Sequence, residues 1–237
     1  MNLTRPGQII CDAVLTLAYP QICAICSRSV EQRRYGVACE SCWQGTRIFM
    51  DTDEICWKCG TPGPACGRCA PLAFTAARAV GMYEGALREA AVILKRWPHV
   101  PRHVENLLVA AAARKPLSES TAILPVPLHP KRLRSRGFNQ ASVLAQLLSK
   151  RLQLPFDEVS LRRVSTPEKY RAGLDAKGRR DTVAGAFAVS HARLIENQDL
   201  LLVDDVFTTG ATVSSCAEVL LAAGARNVYV VTVARAS

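Results

Sequence analysis

The apolar positions of this chain form two kinds of pattern that alternate along its sequence. Largely apolar short runs ahead of turn signals are typical of buried parallel strands, and they occur at 76–83, 122–124, 200–203 and 228–233. Apolar residues at helical spacing occur at 86–97, 104–114 and 141–154, and again from residue 211 onward. Strands that alternate with helices in this way predict an α/β domain with a parallel central sheet flanked by helices.

The stretch at 200–212 carries the clearest chemistry and reads LLLVDDVFTTGAT. Four apolar residues run into Asp204 and Asp205, a loop of small residues follows, and a helix starts at Ala211. Unpaired N–H groups and the dipole at a helix N-terminus bind anions, while carboxylates at the end of a parallel strand accept hydrogen bonds from sugar hydroxyls or hold Mg²⁺ through water. We therefore predict a sugar phosphate site rather than a chance pair of acids before an ordinary helix cap. Thr208, Thr209 and Thr212, on either side of Gly210 and Ala211, add hydroxyl donors to this anion site.

Four CxxC pairs lie within residues 23–69 and supply eight thiols. Eight thiolates are enough for two tetrahedral zinc sites, and such closed sites are structural because no ligand position stays open for water. We expect metal rather than disulfides because no secretory signal indicates an oxidising compartment. Pairing in chain order would give two consecutive ribbons, which we favour because each half closes a short loop, whereas crossed pairing would give a RING-like brace. The ligands are Cys23, Cys26, Cys39, Cys42, Cys56, Cys59, Cys66 and Cys69.

Two other pairs of side chains have structural rather than functional explanations. Trp43 and Trp57 each lie close to a cysteine pair, and we expect them in the sparse core of the zinc module rather than as stacking platforms. Lys95 and Arg96 fall in the last turn of the predicted helix at 86–97, where cations favour the negative end of the helix dipole. We therefore predict no ligand role for these two cations.

Positive charge is concentrated in one segment of the chain. The formal net charge is +10, which favours acidic partners. Between residues 129 and 180, thirteen Lys or Arg stand against four acids, so this segment alone carries +9.

The segment begins in the stretch 122–140, AILPVPLHPKRLRSRGFNQ, where an apolar strand enters a proline-rich loop surrounded by cations. A pyrophosphate group would require such a loop. The alternative for the arginines is a solvated basic face, and for the histidine it is a hydrogen bond that orders the loop. The candidate contacts are Pro127, Leu128, His129, Arg132 and Arg136.

Two of these stretches resemble known sequences. Residues 200–212 closely resemble the motif that binds 5-phosphoribosyl 1-pyrophosphate (PRPP) in type I phosphoribosyltransferases. The pattern PVPLHPxRLRxRGFNQ at 125–140 resembles the ComF family of competence-associated proteins and their gluconate-utilisation-associated relatives, which also carry N-terminal cysteine pairs. The resemblance covers nearly the whole chain, although ComF-like sequences usually show Gln near 170 and Asn near 182, where this chain has Tyr170 and Thr182.

This resemblance implies a specific arrangement of PRPP. Asp204 and Asp205 would lie at the ribose hydroxyls as the catalytic pair, residues 208–212 would surround the 5′-phosphate, and the loop after the strand at 122–124 would bind the pyrophosphate with Mg²⁺. The segment 165–185, which has several glycines and charged residues, would be a flexible lid over the site.

Two functions fit these signals. The first is an enzyme that displaces pyrophosphate from PRPP, with Mg²⁺ bridging substrate oxygens. The second is a non-catalytic accessory protein that binds nucleic acid, as the association of the ComF family with DNA uptake in transformation implies. The zinc ribbons and the +9 segment would then contact single-stranded DNA or the DNA-uptake machinery. We expect PRPP or another ribose 5-phosphate ligand in either case.

Three units are expected along the chain: an N-terminal helix at 1–22, a double zinc ribbon at 23–70, and a phosphoribosyltransferase-like domain at 76–237. Asp12 interrupts the apolar positions of the first unit, which is also too short to span a bilayer, so we expect neither a signal sequence nor a membrane span. The expected location is the cytoplasm.

Overall fold

The computed structural model describes residues 20–64, 66–67, 69–164 and 185–236. The predicted N-terminal helix and the predicted lid fall almost entirely outside these residues, as do Tyr170 and Thr182. In the described part of the chain, the α-helices are α1 (Glu40–Gln44), α2 (Gly85–Leu94), α3 (Arg102–Ala112), α4 (Pro130–Arg136), α5 (Gln140–Leu152) and α6 (Ala211–Ala222). The strands are β1 (Ala76–Met82), β2 (Ala122–Pro125), β3 (Leu161–Arg163), β4 (Phe187–Val189), β5 (Asp199–Phe207) and β6 (Asn227–Arg235).

Four strands form a parallel sheet in the order β1-β6-β5-β2, which confirms the predicted parallel sheet. Successive side chains of a strand point to opposite faces, and those of β5 alternate between two apolar clusters. Leu201 and Val203 pack into the cluster that contains α3 and α5, whereas Leu200 and Leu202 pack into the cluster that contains α6. Helices therefore cover both faces of the sheet. β3 and β4 form a separate antiparallel pair.

The central strand β5 is longer than the sequence pattern predicts. We expected it to end at Val203, ahead of the two carboxylates, but it continues through Phe207. The reason is pairing with β6, where Asp204 lies opposite Thr232 and Phe207 lies opposite Arg235. Ladder hydrogen bonds to a neighbouring strand extend β5 beyond the apolar run. The carboxylates consequently belong to the strand rather than to a loop.

The basic residues after β2 lie on a short helix, α4, rather than in the predicted loop. Pro130 occupies the start of the helix, where its missing N–H is harmless, and His129 precedes it as the N-cap. The helix ends at Gly137, whose φ of 82° is the left-handed conformation that glycine adopts without strain. The loop prediction, which rested on the closely spaced prolines, is therefore wrong for residues 130–136.

The cysteine-rich segment is attached to the exposed edge of β1 by backbone hydrogen bonds. Phe49 N donates to Val80 O at 2.8 Å, and Met82 N donates to Arg47 O at 2.9 Å. Near the start of the same strand, Ala77 N donates to Lys58 O at 2.6 Å. These bonds pair groups that an edge strand would otherwise present to solvent.

Candidate functional site

The eight paired cysteines form two clusters in chain order. In each cluster, the four sulfur atoms lie within 4.8 Å of one another. The first cysteine site is Cys23, Cys26, Cys39 and Cys42, and the second cysteine site is Cys56, Cys59, Cys66 and Cys69. The pairing is therefore sequential, as we favoured, and not crossed.

The sulfur geometry fits zinc. Cys26 Sγ lies 3.6 Å from Cys39 Sγ in the first site, and Cys56 Sγ lies 3.7 Å from Cys69 Sγ in the second. Four thiolates around one zinc at a bond length of about 2.3 Å would have sulfur atoms about 3.8 Å apart. Both sites are thus consistent with structural zinc held entirely by thiolates.

The first cysteine site packs on α3 through aromatic side chains. The rings of Trp43 and Tyr35 lie 4.6 and 5.3 Å from the His103 ring, centroid to centroid, in edge-on arrangements. Trp43 Nε1 also donates to Tyr35 O at 3.1 Å, so its polar atom is satisfied inside the core. This confirms the predicted core position of Trp43.

The prediction for Trp57 is wrong, because this side chain is 67% exposed. Trp57 lies between Cys56 and Cys59, whose sulfur atoms turn inward toward the second cysteine site. Its own backbone carbonyl accepts a hydrogen bond from Arg78 Nη1 at 3.0 Å. Convergence of the two ligands on one metal leaves the residues between them on the outside of the turn.

The carboxylates of β5 lie beside the carboxyl end of β2, since Val203 pairs with Pro125. Asp205 is 6% exposed. Its Oδ2 atom lies 2.8 Å from Lys95 Nζ, and its Oδ1 atom accepts a long hydrogen bond of 3.5 Å from Gln140 Nε2. Asp204 Oδ1 accepts a hydrogen bond from Asp205 N at 2.8 Å. The strand thus holds two adjacent carboxylates in different surroundings.

These surroundings separate the pKa values of the two groups. Burial raises the pKa of Asp204 well above its ordinary value, and the neighbouring Asp205 raises it further. Burial alone would also raise the pKa of Asp205, but the charge and hydrogen bond of Lys95, together with the hydrogen bonds of Asp204 and Gln140, outweigh this effect and lower it. The pair therefore keeps a proton on Asp204 more readily than on Asp205. A ligand that needs both carboxylates ionised should bind better as pH rises through the raised pKa of Asp204.

A turn at 208–210, which we call the phosphate turn, connects β5 to α6. Gly210 has a φ of 78° and is buried, while Thr208 and Thr209 are exposed. Thr209 Oγ1 accepts a hydrogen bond from Ala211 N at 3.3 Å. The predicted 5′-phosphate residues thus lie together at the N-terminus of a twelve-residue helix, next to the carboxylate pair.

The predicted pyrophosphate residues occupy α4 and the segment before it. Arg132 is exposed, whereas Arg136 is partly buried and donates a hydrogen bond to Gln140 Oε1. Through Gln140, Arg136 is therefore linked to Asp205. His129 Nδ1 accepts a hydrogen bond from Lys131 N at 3.1 Å, which is the loop-ordering bond that we gave as its alternative role. Pro127 and Leu128 line a cavity of about 520 Å³ beside α4.

Sequence reasoning missed two residues at this site. We predicted no ligand role for Lys95, and that stays a prediction, but its side chain lies at the candidate site: α2 ends at Leu94, and Lys95 Nζ pairs with Asp205 Oδ2 at 2.8 Å. No local sequence signal relates these distant positions, because only the sheet topology brings them together. Gln140 is part of the stretch at 125–140 that resembles the ComF family. The sequence of that stretch did not indicate that its side chain donates a hydrogen bond to Asp205 on β5.

Comparison with known proteins places the chain in a family. The family model described as a double zinc ribbon domain matches residues 14–73, and the phosphoribosyl transferase domain model matches residues 138–237. The DNA utilization protein YhgH of Salmonella typhimurium is 31% identical over 242 aligned positions, which cover 96% of each chain. Competence protein F of Haemophilus influenzae is 38% identical over 116 positions, which cover 48% of this chain and 50% of the relative. The chain belongs to the ComF family.

Similar solved structures cover only part of this ComF-family chain. Glutamine PRPP amidotransferase from B. subtilis has a TM-score of 0.40 at 15% identity, covering 60% of this chain and 30% of its own. Orotate phosphoribosyltransferase from Aeropyrum pernix has a TM-score of 0.30 at 22% identity, covering 54% and 56% of the two chains. Among the described residues, no helix combines the length and apolar character needed to cross a membrane.

Proposed function

We propose that this ComF-family chain binds PRPP, with the ribose at the carboxylate pair of β5 and the 5′-phosphate at the phosphate turn. One observation carries the proposal: two adjacent carboxylates, the partly buried Asp204 and the buried Asp205, lie near the end of β5, and the turn that follows has a left-handed glycine and starts a helix at the carboxyl edge of a parallel sheet. Ligands of open parallel sheets bind at this edge, and phosphates bind at helix N-termini. The three parts of the ligand would then match three adjacent features of the site.

The carboxylate pair suits the ribose. Asp205 is held in place by Lys95 and Gln140, so its orientation is set before a ligand arrives. Carboxylates that accept hydrogen bonds from two neighbouring sugar hydroxyls would distinguish ribose from deoxyribose. Lys95 would remain beside the same carboxylate as a counter-charge.

The basic helix α4 suits the pyrophosphate. Arg132 and Arg134 are exposed cations on α4, and Arg136 is linked through Gln140 to Asp205. The oxygen atoms of Asp204 and Asp205 are donors of the kind that Mg²⁺ prefers, so this pair would hold the ion directly or through water. When bound, Mg²⁺ would neutralise charge on the pyrophosphate oxygens.

The wider role that we propose is in the handling of DNA during uptake. The relatives named above are a DNA utilization protein and a competence protein, and this naming supports the proposal.

The alternative is a non-catalytic protein that binds nucleic acid and uses the phosphoribosyltransferase fold as a scaffold. One observation favours this alternative: Trp57, in the second cysteine site, is exposed and available for stacking on a base. We also propose a cytoplasmic location, because reduced thiols are needed for both cysteine sites.

Calorimetric titration of zinc-loaded protein with PRPP and Mg²⁺ tests the proposed ligand. We expect saturable binding with one PRPP per chain. Ribose 5-phosphate should bind more weakly because it lacks the pyrophosphate, and 2-deoxyribose 5-phosphate should bind more weakly still because it lacks one hydroxyl for the carboxylates. No heat from PRPP with folded protein would exclude both the enzyme and the PRPP-binding protein.

Release of pyrophosphate distinguishes the enzyme from the binding protein. Displacement of pyrophosphate needs positioned charges rather than a covalent nucleophile, so the site could catalyse it with the residues named above. An enzyme should release pyrophosphate when a panel of bases and amines is supplied with PRPP. A binding protein should retain PRPP affinity with no release across the panel.

The nucleic-acid alternative predicts a change in salt dependence. If Arg132 and Arg134 contact the phosphates of single-stranded DNA, replacing both with Gln should reduce the slope of log affinity against log salt by about 1.4, at about 0.7 per lost contact. Lys150→Gln with Arg151→Gln, at the far end of α5, is the matched control and should change the slope less. Fluorescence anisotropy at several salt concentrations measures both, and an unchanged slope in the first variant would remove α4 from the DNA interface.

A further inference from the structure

The second cysteine site lies in the same apolar cluster as residues that flank the phosphate turn. Cys56, Cys59 and Cys69 belong to the buried cluster that also contains Phe207 and Val213. The first cysteine site instead belongs to the other cluster, on the opposite face of the sheet, with α3. The two sites are therefore not equivalent in their relation to the proposed ligand.

Arg235, at the end of β6, connects the second cysteine site to Phe207. Its side chain is buried with the residue 9% exposed, and its Nη1 atom donates to Cys59 O at 2.6 Å. Its Nη2 atom lies 4.0 Å from Cys59 Sγ. The guanidinium carbon lies 4.7 Å from the centroid of the Phe207 ring, within the range of a cation–π contact. The buried Arg235 guanidinium thus contacts both the backbone carbonyl of Cys59, in the second cysteine site, and the ring of Phe207, the last residue of β5.

Phe207 in turn supports the phosphate turn. A Cβ atom added at Gly210 would lie 2.7 Å from Phe207 Cζ and 3.0 Å from Leu72 Cδ1, so both side chains pack directly beneath this glycine. Leu72 belongs to the segment that leaves the second cysteine site. In the same segment, Ala73 N donates to Ser214 Oγ in the first turns of α6 at 3.0 Å. Contacts from the second cysteine site therefore reach both the turn and its helix.

We propose that Arg235 is a positioning residue for the phosphate turn, through which the second cysteine site holds residues 208–210 in their binding geometry. The inference rests on the proposed function, since it concerns the same phosphate site. Zinc at the second cysteine site would hold the backbone around Cys59. The Cys59 carbonyl would then hold the Arg235 guanidinium, and the guanidinium would hold the Phe207 ring. Without metal the backbone around Cys59 would lose its fold, and the buried guanidinium would lose its acceptor.

The experiment uses ribose 5-phosphate and pyrophosphate as separate probes in calorimetry of the full zinc-loaded chain. Arg235→Met should weaken ribose 5-phosphate binding by about tenfold, a factor equivalent to about 1.4 kcal/mol. Pyrophosphate affinity should stay within about twofold, because its proposed contacts lie on α4. General loss of structure would weaken both probes together, and that outcome would overturn the inference.

Arg226→Met is the matched control. Arg226 precedes the opposite end of β6 and pairs with Asp199, with 2.9 Å between Nε and Oδ1. Like Arg235→Met, this variant replaces an arginine that contacts β5. Because Arg226 is at the end of the sheet away from the phosphate turn, the affinity for both probes should stay unchanged. Equal affinity of Arg235→Met and wild type for ribose 5-phosphate would sink the inference and leave the proposed function standing. Wild-type protein that binds neither probe would remove the proposed function and the inference with it.

A second pair of variants tests whether the metal of the second cysteine site supports the phosphate turn. Cys66→Ser should remove the second metal and weaken ribose 5-phosphate binding, whereas Cys26→Ser should remove the first metal with a smaller effect on that affinity. Zinc content verifies that each variant keeps its other metal, and near-UV circular dichroism verifies that the domain outside the affected cysteine site stays folded. Equal effects of the two variants would show that the second site has no special connection to the phosphate turn.

Discussion

Purified protein should contain about two zinc ions per chain, and their removal should have the largest effect on stability of any change considered. Each cysteine site brings four sulfur atoms within 4.8 Å, and apparent binding free energies of structural zinc are about 10–16 kcal/mol. The net stability of a whole domain is only about 5–15 kcal/mol. Chelation should therefore unfold the ribbons, and elemental analysis with limited proteolysis measures the two effects.

Single substitutions separate the two metals. Cys23→Ser and Cys56→Ser should each lose about one zinc ion, because the remaining three thiolates bind the ion far more weakly. Cys216→Ser is the control: Cys216 is buried in α6 outside both clusters, so the zinc content should not change. Folded, metal-free protein whose eight paired thiols all react freely would contradict the assignment of zinc.

Asp205→Asn should weaken PRPP binding by about 1.5–3 kcal/mol, which is roughly 10-fold to 150-fold in affinity. A hydrogen bond between a charged carboxylate and a ribose hydroxyl is worth this much, and the amide keeps the shape but loses the charge. The fold should survive, because Lys95 is 36% exposed and water can solvate its ammonium group when its partner becomes neutral. Any release of pyrophosphate should disappear in the same variant.

Asp199→Asn provides the matched control on the same strand. Asp199 begins β5 at the opposite end, where Arg226 and Asn227 donate hydrogen bonds to it. This variant should lower the melting temperature without changing PRPP affinity. If Asp205→Asn and Asp199→Asn bind PRPP equally well, the carboxylate pair is not the ribose site, whatever the ligand of the phosphate turn.

The sequence by itself determined the parallel sheet and the four metal-binding cysteine pairs. The apolar run at 200–203 becomes the buried centre of β5 because such a run can be buried only with both faces covered. The CxxC spacing determines that the two thiols of each pair bind the same metal because each pair is local in the chain, whereas the structure decided between sequential and crossed combination of the pairs. Trp43 lies in the core as expected, but the same argument failed for Trp57, so the sequence did not determine which of the two tryptophans is buried.

Only the tertiary structure decided how these parts meet. Lys95 reaches Asp205, and Arg235 reaches Cys59, because the order β1-β6-β5-β2 brings together residues that are far apart in the chain. The length of β5 was set by its pairing with β6, and the exposure of Trp57 by the inward turn of its flanking cysteines. Hydrophobic periodicity indicates which face of a helix or strand is buried. It does not indicate which other helix or strand covers that face. The long-range contacts depend on that second element, so only the tertiary structure shows them.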